Sequence, residues 1–484
     1  MKSKIESFIW NKIKENKDLE LVECFFCMYP DRFDLAFKIA YLDGWLNKKK
    51  SVFYKELYIE HIDAFSLGKF IEPGNPNKSK LKHFLDEFER IFFSIKNNGF
   101  NPDDSLIPLS VDMIPLNGAH RVSSLIFLKK SGVAVKTPLQ TEVYDYEFFE
   151  KRGVAGKYMD FAAKQYMLFE KDVHVAFLWP AGKFKGDIKQ FFNGVFYRKK
   201  IKLNENGAHN LLSILYRGQD WLGAREKNFP GVKNKLLKCF LEFSDFEVVF
   251  FKEENLNLVL ERKGKFRNVC GIGKDSIHIT DSYEEAIEAA EMVLNDNSIH
   301  FLNFAKPNKF LNFHEKLSKI KNEISINKIS SDDFLLDGGM VLEAYGLRKA
   351  SDIDYLALEN SLDKSLADCH NEEYLKYRKD IDINEMIYNP ENFFYFCGFK
   401  FSSIENLIKL KKNRASNKDL LDVRLVADFI SGKGKFLTKK IYLFRKYKYR
   451  FKEALKKLIV RLLRAVSLLE AAKKIRDIVE EKYK

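Results

Sequence analysis

The sequence predicts a multidomain protein of mixed α/β (α+β) class. Its 484 residues exceed what one hydrophobic core organises, since a domain usually holds about 150 residues. A hydrophobic share of 46% beside a charged share of 31% is typical of a folded chain. Strand-like and helix-like patterns alternate, which favours sheets covered by helices. We divide the chain into four predicted segments: residues 1–150, 151–305, 306–434 and 435–484.

Hydrophobic periodicity places the elements within these segments. In the first segment it predicts a helix over 81–97, short strands at 107–109 and 113–116, and a helix over 122–129. In the second it predicts strands at 173–178, 246–251, 256–260 and 276–280, then a helix over 281–294. In the third it predicts strands at 334–336, 353–358 and 381–387, with helices over 340–345 and 403–430.

Charge and targeting signals restrict the location and the partners. The formal net charge of +14 at pH 7 favours anionic partners. The chain begins with a polar amphipathic stretch rather than a signal peptide, and it lacks a run of about 18 apolar residues. Its six cysteines are scattered, and Cys24-Phe-Phe-Cys27 alone does not supply four zinc ligands. We expect a cytoplasmic protein.

The last segment combines an apolar stripe with a basic opposite face. The stripe has helical spacing and consists of Phe451, Leu455, Leu458, Ile459, Leu462, Leu463, Val466 and Leu469. Two interpretations stay open: a helix that packs on the protein or on another copy, and a helix that touches the inner face of a membrane. Much of the net positive charge lies here, so nucleic acid is a less favoured partner.

The third segment carries a pattern with a physical logic for phosphate and metal chemistry. Gly338 and Gly339 stand between a predicted strand and a predicted helix, where glycine lets the backbone approach a phosphate closely. Asp352 and Asp354 are one residue apart on a predicted strand, so both carboxylates face one side. Two adjacent carboxylates repel unless a cation lies between them, and Mg²⁺ prefers such ligands.

A third carboxylate is expected from a neighbouring strand. Asp380 and Asp382 share one face in the stretch Lys379-Asp380-Ile381-Asp382-Ile383, at the start of the strand predicted over 381–387, and Asp382 is preferred because it lies deeper among apolar residues. Asp352, Asp354 and Asp382 are therefore the predicted metal ligands and catalytic carboxylates.

This constellation resembles the polymerase-beta-type nucleotidyltransferase superfamily over about residues 330–430. The resemblance implies Mg²⁺ and an NTP, either CTP or ATP, as cofactors. It also implies nucleotide or phosphate binding by a set of residues that comprises Gly338, Gly339, Arg348, Ser351 and Lys411. Asp337 departs from the family, which usually has an apolar residue there. Leu342-Glu343 replaces the Arg-Asp of tRNA-tailing members, which favours a small acceptor over tRNA.

A second motif lies in the first segment, where Asn117-Gly118-Ala119-His120-Arg121 forms a predicted turn into a helix. Arg121 at a helix start can bind phosphate, because its planar guanidinium offers two parallel hydrogen bonds. His120 is a candidate for positioning a nucleotide. The motif resembles the ParB/sulfiredoxin-like fold, which includes amino-acid kinases. That resemblance implies nucleotide or phosphate binding by Asn117, Gly118, His120 and Arg121, with Glu72 as the base of a kinase.

The middle segment offers a third group of polar residues. Ser276 and His278 would share one face of a predicted strand, with Lys274 beside them. This arrangement has two interpretations: a further phosphate or nucleotide site, and an ordinary strand followed by a capped helix.

These observations predict a cytoplasmic nucleotidyltransferase that moves NMP from an NTP to a small phosphorylated metabolite. An N-terminal kinase would prepare that metabolite, and bacterial surface polysaccharide precursors (capsule or lipopolysaccharide) are the expected context from resemblance. Two alternatives remain: an enzyme that modifies tRNA or another polynucleotide, and a non-catalytic nucleotide-binding regulator.

Overall fold

The computed structural model describes residues 2–13, 19–46, 50–72, 78–358 and 362–431, together with residues 451, 455, 458, 459 and 462. The fold is mixed α/β, as predicted, with helices around several small sheets. One sheet lies in each of the first three predicted segments. The positions of the boundaries between segments stay predictions.

The first sheet has three strands. These are β1 (Leu21–Cys24), β2 (Ile107–Leu109) and β3 (Gly132–Lys136). Strand β3 lies in the centre, antiparallel to β1 and parallel to β2. The surrounding helices are α1 (Ser7–Ile13), α2 (Asp34–Tyr41), α3 (Val52–Ser66), α4 (Leu81–Asn98), α5 (Ala119–Leu128) and α6 (Tyr146–Lys151).

The second sheet is antiparallel throughout. Its strands are β4 (Val173–Leu178), β5 (Val195–Ile201), β6 (Phe246–Lys252) and β7 (Ile277–Ile279), in the order β5-β6-β4-β7. The helices of this segment are α7 (Gly156–Leu168), α8 (Glu205–Leu215), α9 (Val232–Cys239), α10 (Leu256–Cys270), α11 (Tyr283–Val293) and α12 (Asp296–Phe304). Every residue of β4 is buried, because helices cover this sheet.

The third sheet is mixed. Its strands are β8 (Phe334–Asp337), β9 (Asp354–Ala357), β10 (Asp368–Cys369), β11 (Phe393–Phe396) and β12 (Phe399–Ser402), in the order β10-β9-β8-β12-β11. Its helices are α13 (Asn312–Ile326), α14 (Gly339–Ala344), α15 (Asn371–Tyr377), α16 (Ile383–Tyr388), α17 (Ile404–Arg414) and α18 (Asn417–Ser431). Strand β9 is antiparallel to β8 and parallel to β10.

Strand β11 is shared by two hydrophobic cores. Phe393 and Tyr395 belong to a core that extends through the first two segments and also takes in residues of β8, β9 and α16, whereas Phe394 and Phe396 belong to the second core, which lies mainly in the third segment. Successive residues of a strand point to opposite faces, so one strand contributes to both cores. The third sheet therefore packs directly against the middle segment.

Besides the strand predicted over 381–387, which is a helix from Ile383, three predicted elements are wrong. Residues 256–260 begin helix α10, because Asn255 caps its start and Val259, Lys263 and Phe266 are buried at helical spacing. Residues 113–116 form a turn in which Met113 has a φ of 62°, and Pro115 makes only an isolated bridge to Leu109. The helix predicted over 403–430 is two helices, which separate at Ala415 with a φ of 53°.

The predicted basic tail lies mostly outside the described residues. Five of its apolar residues are described as helical and exposed, namely Phe451, Leu455, Leu458, Ile459 and Leu462. Across the described part of the chain, no helix has both the length and the apolar character needed to cross a membrane.

Candidate functional site

The glycine turn of the third segment brings the backbone into contact with a carboxylate. Gly338 follows β8 with a φ of 59° and a ψ of −127°, a conformation that glycine adopts without strain. A Cβ on Gly338 would overlap Oδ2 of Asp354. A Cβ on Gly339 would lie 3.0 Å from Cβ of Ala350. Both positions therefore require glycine for close packing, and Gly338 requires it for conformation as well.

Asp354 is the centre of the site. It is the first residue of β9 and is 6% exposed. The backbone N–H of Gly339 donates to its Oδ2 at 3.2 Å. Asp352 precedes the strand and is exposed, and it accepts a hydrogen bond from Ser351 Oγ at 2.9 Å. The expectation that both aspartates lie on one strand is wrong, since β9 begins only at Asp354.

The electrostatics of Asp354 indicate a carboxylate that lacks a full counter-charge. Burial raises its pKa above the usual value, and the charges of Asp352 and Asp337 raise the pKa further. His370 and the Gly339 N–H lower the pKa, but they do not cancel the effect of burial. A bound cation would stabilise the ionised form of this group.

Asp337 is the carboxylate that the sheet places beside Asp354. The two residues are directly opposed in the antiparallel pair of β8 and β9, so their side chains share one face. Asp337 is fully buried, its Oδ1 accepts from Tyr374 Oη at 3.2 Å, and its Oδ2 has no hydrogen-bond partner among the described residues. A buried oxygen without a partner marks an unmet requirement for a donor or a cation.

His370 is a member of the site that the sequence did not reveal. It follows β10, and its Nε2 lies 3.2 Å from Oδ1 of Asp354. Its Nδ1 is buried without a hydrogen-bond partner in the part of the chain that the structure describes. The signal that would have found it is the parallel pairing of Asp368 with Asp354, which spacing along the chain does not encode.

The donor set fits a hard cation only in part. Asp352 and Asp354 are carboxylates of the kind that Mg²⁺ prefers, and Asp337 adds a buried oxygen without a partner. Within the described residues, however, no group of three or more His, Cys, Asp or Glu side chains is arranged to hold a metal ion. Asp352 and Asp354 are thus the residues that would hold Mg²⁺, with Asp337 behind them.

Asp382 does not occupy the predicted position. The predicted strand over 381–387 is wrong, because Asp382 caps helix α16 and its Oδ1 accepts from the Asn384 N–H at 2.6 Å. Met386 and Ile387 are buried on that helix, which explains the apolar pattern. Asp380 accepts two hydrogen bonds from Arg378. Neither carboxylate lies on a strand beside β9, so the basis for Asp382 as third ligand is removed.

The basic residues near the site are held by carboxylates. Arg348 donates to Asp422 through Nε at 2.6 Å and through Nη2 at 2.7 Å. The buried Lys411 Nζ lies 3.0 Å from Asp419 and 2.8 Å from Asp422. These contacts fix the loop before β9 to α17 and α18. A phosphate would have to displace Asp422 to reach Lys411. Lys411 is therefore better placed to position Asp419 and Asp422 than to bind phosphate.

The short helix α14 is anchored by Glu343. This fully buried residue accepts from Lys316 Nζ at 2.8 Å and from the Ala350 N–H at 3.2 Å. Lys316 also donates to the Ala350 carbonyl at 2.7 Å. Glu343 therefore ties the loop that carries Asp352 to helices α13 and α14.

The predicted N-terminal site residues are engaged in packing. His120 is buried, its Nε2 is 2.9 Å from Tyr58 Oη, and its ring stacks on Phe88 at 4.3 Å between centroids. Burial lowers the pKa of His120 well below its usual value. The Phe88 contact and the low pKa fit a neutral core residue.

The other residues of that turn have protein partners as well. Arg121 pairs with Glu6 and also donates to the Leu106 carbonyl at 3.3 Å. Asn117 Oδ1 accepts from the Gly118 N–H, and Gly118 has a φ of 78°. Glu72 lies 3.1 Å from Lys78 Nζ. These contacts indicate that the Asn-Gly-Ala-His-Arg stretch is a structural turn.

The predicted residues of the middle segment separate into two groups. Ser276 is fully buried and donates to the Gly273 carbonyl at 2.7 Å, so it closes a turn. Lys274 and His278 line a large cavity, and His278 Nε2 lies 2.8 Å from Glu285 Oε1.

Comparisons of this chain with protein-family models, with curated proteins and with solved structures found no match.

Proposed function

We propose that the third segment is a Mg²⁺-dependent nucleotidyltransferase that transfers NMP from an NTP, CTP or ATP, to a small phosphorylated metabolite. The observation that carries this proposal is the contact between the glycine turn and the buried Asp354. There, Gly339 donates its N–H to Asp354 Oδ2, and any side chain on Gly338 would collide with that oxygen.

The residues of the site have distinct proposed roles. Asp352 and Asp354 would hold the metal, which would neutralise charge on the triphosphate and polarise the acceptor oxygen. Gly338 and Gly339 leave room for the phosphates, because no Cβ stands between the backbone and the carboxylates. His370 orients Asp354 through the contact between Nε2 and Oδ1.

Positioning residues support this geometry from behind. Asp422 holds Arg348, and Glu343 holds Ala350, so both ends of the loop that carries Asp352 are fixed. A carboxylate held in a fixed position does not reorganise during the reaction, which is the main electrostatic advantage of an enzyme site.

A small acceptor is favoured over a polynucleotide. The basic residues beside the site, Arg348, Lys411 and Arg414, are all paired with Asp419 or Asp422. Paired cations release few counterions from a nucleic acid backbone, so they contribute little to RNA affinity. No kinase activity is proposed for the first segment, because the contacts of His120 and Arg121 are those of packed residues.

The test is release of pyrophosphate from each NTP with Mg²⁺, with small phosphates and RNA offered separately as acceptors. Asp354→Asn should lower the rate at least about 100-fold. Asp382→Asn makes the same chemical change at a carboxylate that caps α16, where asparagine caps equally well. That control should retain the wild-type rate.

Three results would contradict the proposed small-acceptor nucleotidyltransferase. Equal rates for the Asp354→Asn and Asp382→Asn proteins would remove the site from catalysis. Label that enters RNA and no small phosphate would favour the polynucleotide enzyme. NTP binding without turnover on any acceptor would favour a regulator.

A further inference from the structure

A cavity of 780 Å³ opens in the middle segment, bordered by residues of α8, α9, α10, α11 and the turn before β7. Pockets that bind small molecules usually measure about 300–1,000 Å³. All of its lining residues fall between positions 214 and 288. None of them belongs to the glycine-turn site, so the cavity requires its own explanation.

Two aromatic rings form one wall. Tyr216 and Trp221 meet edge to face, with 5.2 Å between ring centroids and 62° between their planes. Trp221 remains 45% exposed although it is one of only four tryptophans in the chain. A partly exposed indole beside a cavity offers a flat apolar surface on which a planar ring can stack.

Three cations on the lining have no carboxylate partner among the described residues. They are Lys238, Arg267 and Lys274. Two other lysines on the lining do have carboxylate partners: Lys235 pairs with Asp275, and Lys263 pairs with Asp281. The Nε of Arg267 is buried and makes no hydrogen bond within the described chain. The guanidinium of Arg267 therefore keeps donor capacity beside the cavity, and such groups bind phosphate through charge-assisted hydrogen bonds.

The carboxylates of the lining do not fully neutralise these cations. Three of the five are already paired with a lysine or arginine, namely Asp275 with Lys235, Asp281 with Lys263 and Glu288 with Arg217. Glu284 has no such partner, and Glu285 pairs with His278, which carries a positive charge only when it is protonated. The charges that remain without an opposite charge are thus three positive and two negative, so the lining keeps a positive excess that favours an anionic ligand.

We propose that this cavity binds a nucleotide, with the base stacked on Trp221 and the phosphates held by Arg267, Lys238 and Lys274. The aromatic wall and the unpaired cations lie on one cavity, which matches a ligand that is planar at one end and anionic at the other. Because cations of the chain itself meet the phosphates, binding here requires no metal. This site is separate from the proposed catalytic site, where two carboxylates would repel a triphosphate without Mg²⁺.

The experiment is calorimetric titration of the full-length protein with ATP, CTP, GTP and UTP in the presence of a metal chelator. At least one of these nucleotides should bind. Arg267→Gln should weaken that binding about tenfold or more, as expected for loss of a charge-assisted contact. Lys265→Gln removes the same charge from the same helix at an exposed position outside the cavity, and it should leave the affinity unchanged.

A second comparison tests the aromatic wall. Trp221→Leu should weaken the binding of the nucleotide about tenfold. The same variant should leave the binding of inorganic tripolyphosphate, which has no base, unchanged. Absence of nucleotide binding in chelator, or equal affinities for the Arg267→Gln and Lys265→Gln proteins, would overturn the proposal. Pyrophosphate release with Mg²⁺, measured on the same proteins, reports separately on the catalytic site.

Discussion

Gly338 is the residue on which the site geometry depends most directly. Alanine there would adopt a strained backbone conformation and would overlap Asp354 Oδ2. Strain of this kind costs about 1–3 kcal/mol, and a displacement of about 1 Å at a reacting group can lower a rate 100-fold. We therefore expect Gly338→Ala to lower pyrophosphate release about 100-fold while the protein stays folded.

Gly398 provides the matched control for this substitution. It also has a positive φ, 77°, but a Cβ at that position meets no atom within 4 Å. Gly398→Ala should cost about 1 kcal/mol of stability for the backbone conformation alone and should leave the rate nearly unchanged. Similar losses of activity in both variants would show that strain in the sheet, rather than contact with Asp354, controls the rate.

Asp354 should show the conflict between stability and function that buried carboxylates produce. Burial raises its pKa, so the folded protein holds the proton more tightly than the unfolded chain does. The stability that this group contributes is present below its unfolded pKa and is lost as the pH rises through its folded pKa. At neutral pH, Asp354→Asn should therefore melt at a higher temperature than the wild type, although we expect it to lose the proposed activity.

Thermal melting as a function of pH measures this effect. The advantage of Asp354→Asn should shrink as the pH falls through the folded pKa of Asp354, because the wild type then gains a proton and becomes neutral. Addition of Mg²⁺ at neutral pH should raise the melting temperature of the wild type more than that of the variant, since a ligand stabilises the state that binds it. Equal stabilisation of both proteins by Mg²⁺ would contradict metal binding by Asp354.

At the scale of elements, the loop before β9 depends on ion pairs from α17 and α18. Burial alone would raise the pKa of Asp422, but hydrogen bonds from Arg348 and Lys411 hold it below its usual value. Asp422→Ala leaves Lys411 buried with Asp419 as its remaining partner. We expect the free energy of unfolding in urea to fall by about 3 kcal/mol, as for other broken buried ion pairs.

Two controls test the contribution of the ion pairs around Asp422: measurements at acidic pH and a variant that breaks a surface ion pair. Because the folded pKa of Asp422 is lowered, its contribution is present above the unfolded pKa and is lost as the pH falls through the folded pKa. The stability difference between the wild type and Asp422→Ala should narrow accordingly in acid. Glu405→Gln, which breaks the exposed pair with Lys409 on the same helix, should cost no more than about 0.5 kcal/mol. A comparable cost for both variants would mean that the Asp422 network is no stronger than a surface pair.

The sequence predicted the elements whose signals are local. Strand β8, the glycine turn and helix α14 follow one another within eleven residues, and burial and backbone conformation there agree with the pattern. Ile381 to Ile387 contains alternating isoleucines that also suit a strand, but Asp382 provides a cap and Ile383 and Met386 are buried on a helix. Local patterns of this length do not distinguish the two structures, because tertiary contacts decide between them.

The same holds for the candidate site. Gly338, Gly339 and Asp354 lie within one strand–helix–strand unit, and the structure brings the two glycines into contact with Asp354 as the local pattern predicted. Asp352 precedes the strand, and its role as a metal ligand stays a prediction. Asp337 and His370 join Asp354 only through the pairing of β8, β9 and β10. His120 and Lys411 were predicted to bind phosphate because their types suit that role, yet burial and protein partners occupy them.

At the scale of the whole molecule, β11 couples the third sheet to the rest of the protein. Tyr395 points into the core of the first two segments, and its hydroxyl accepts from Lys164 Nζ of α7 at 2.6 Å. Phe394, the preceding residue, points into the core of the third segment. Since the same strand completes both cores, neither can lose its packing without disturbing the other. We therefore expect the described part of the chain to unfold as one cooperative unit.

Tyr395→Ala tests this coupling with two independent probes. All four tryptophans, Trp10, Trp45, Trp179 and Trp221, precede the third segment, so their fluorescence reports on the first two segments. Pyrophosphate release, the activity proposed for the third segment, reports on that segment. Truncation of a buried aromatic side chain costs about 3–5 kcal/mol, and it should shift both urea transitions to the same lower midpoint. Phe25→Ala, at an aromatic residue that is 73% exposed, should shift neither by more than about 0.5 kcal/mol. If Tyr395→Ala lowers the urea midpoint of the fluorescence transition but leaves the urea midpoint of the loss of activity unchanged, the two cores are independent. The third segment should then be studied as a separate folding unit.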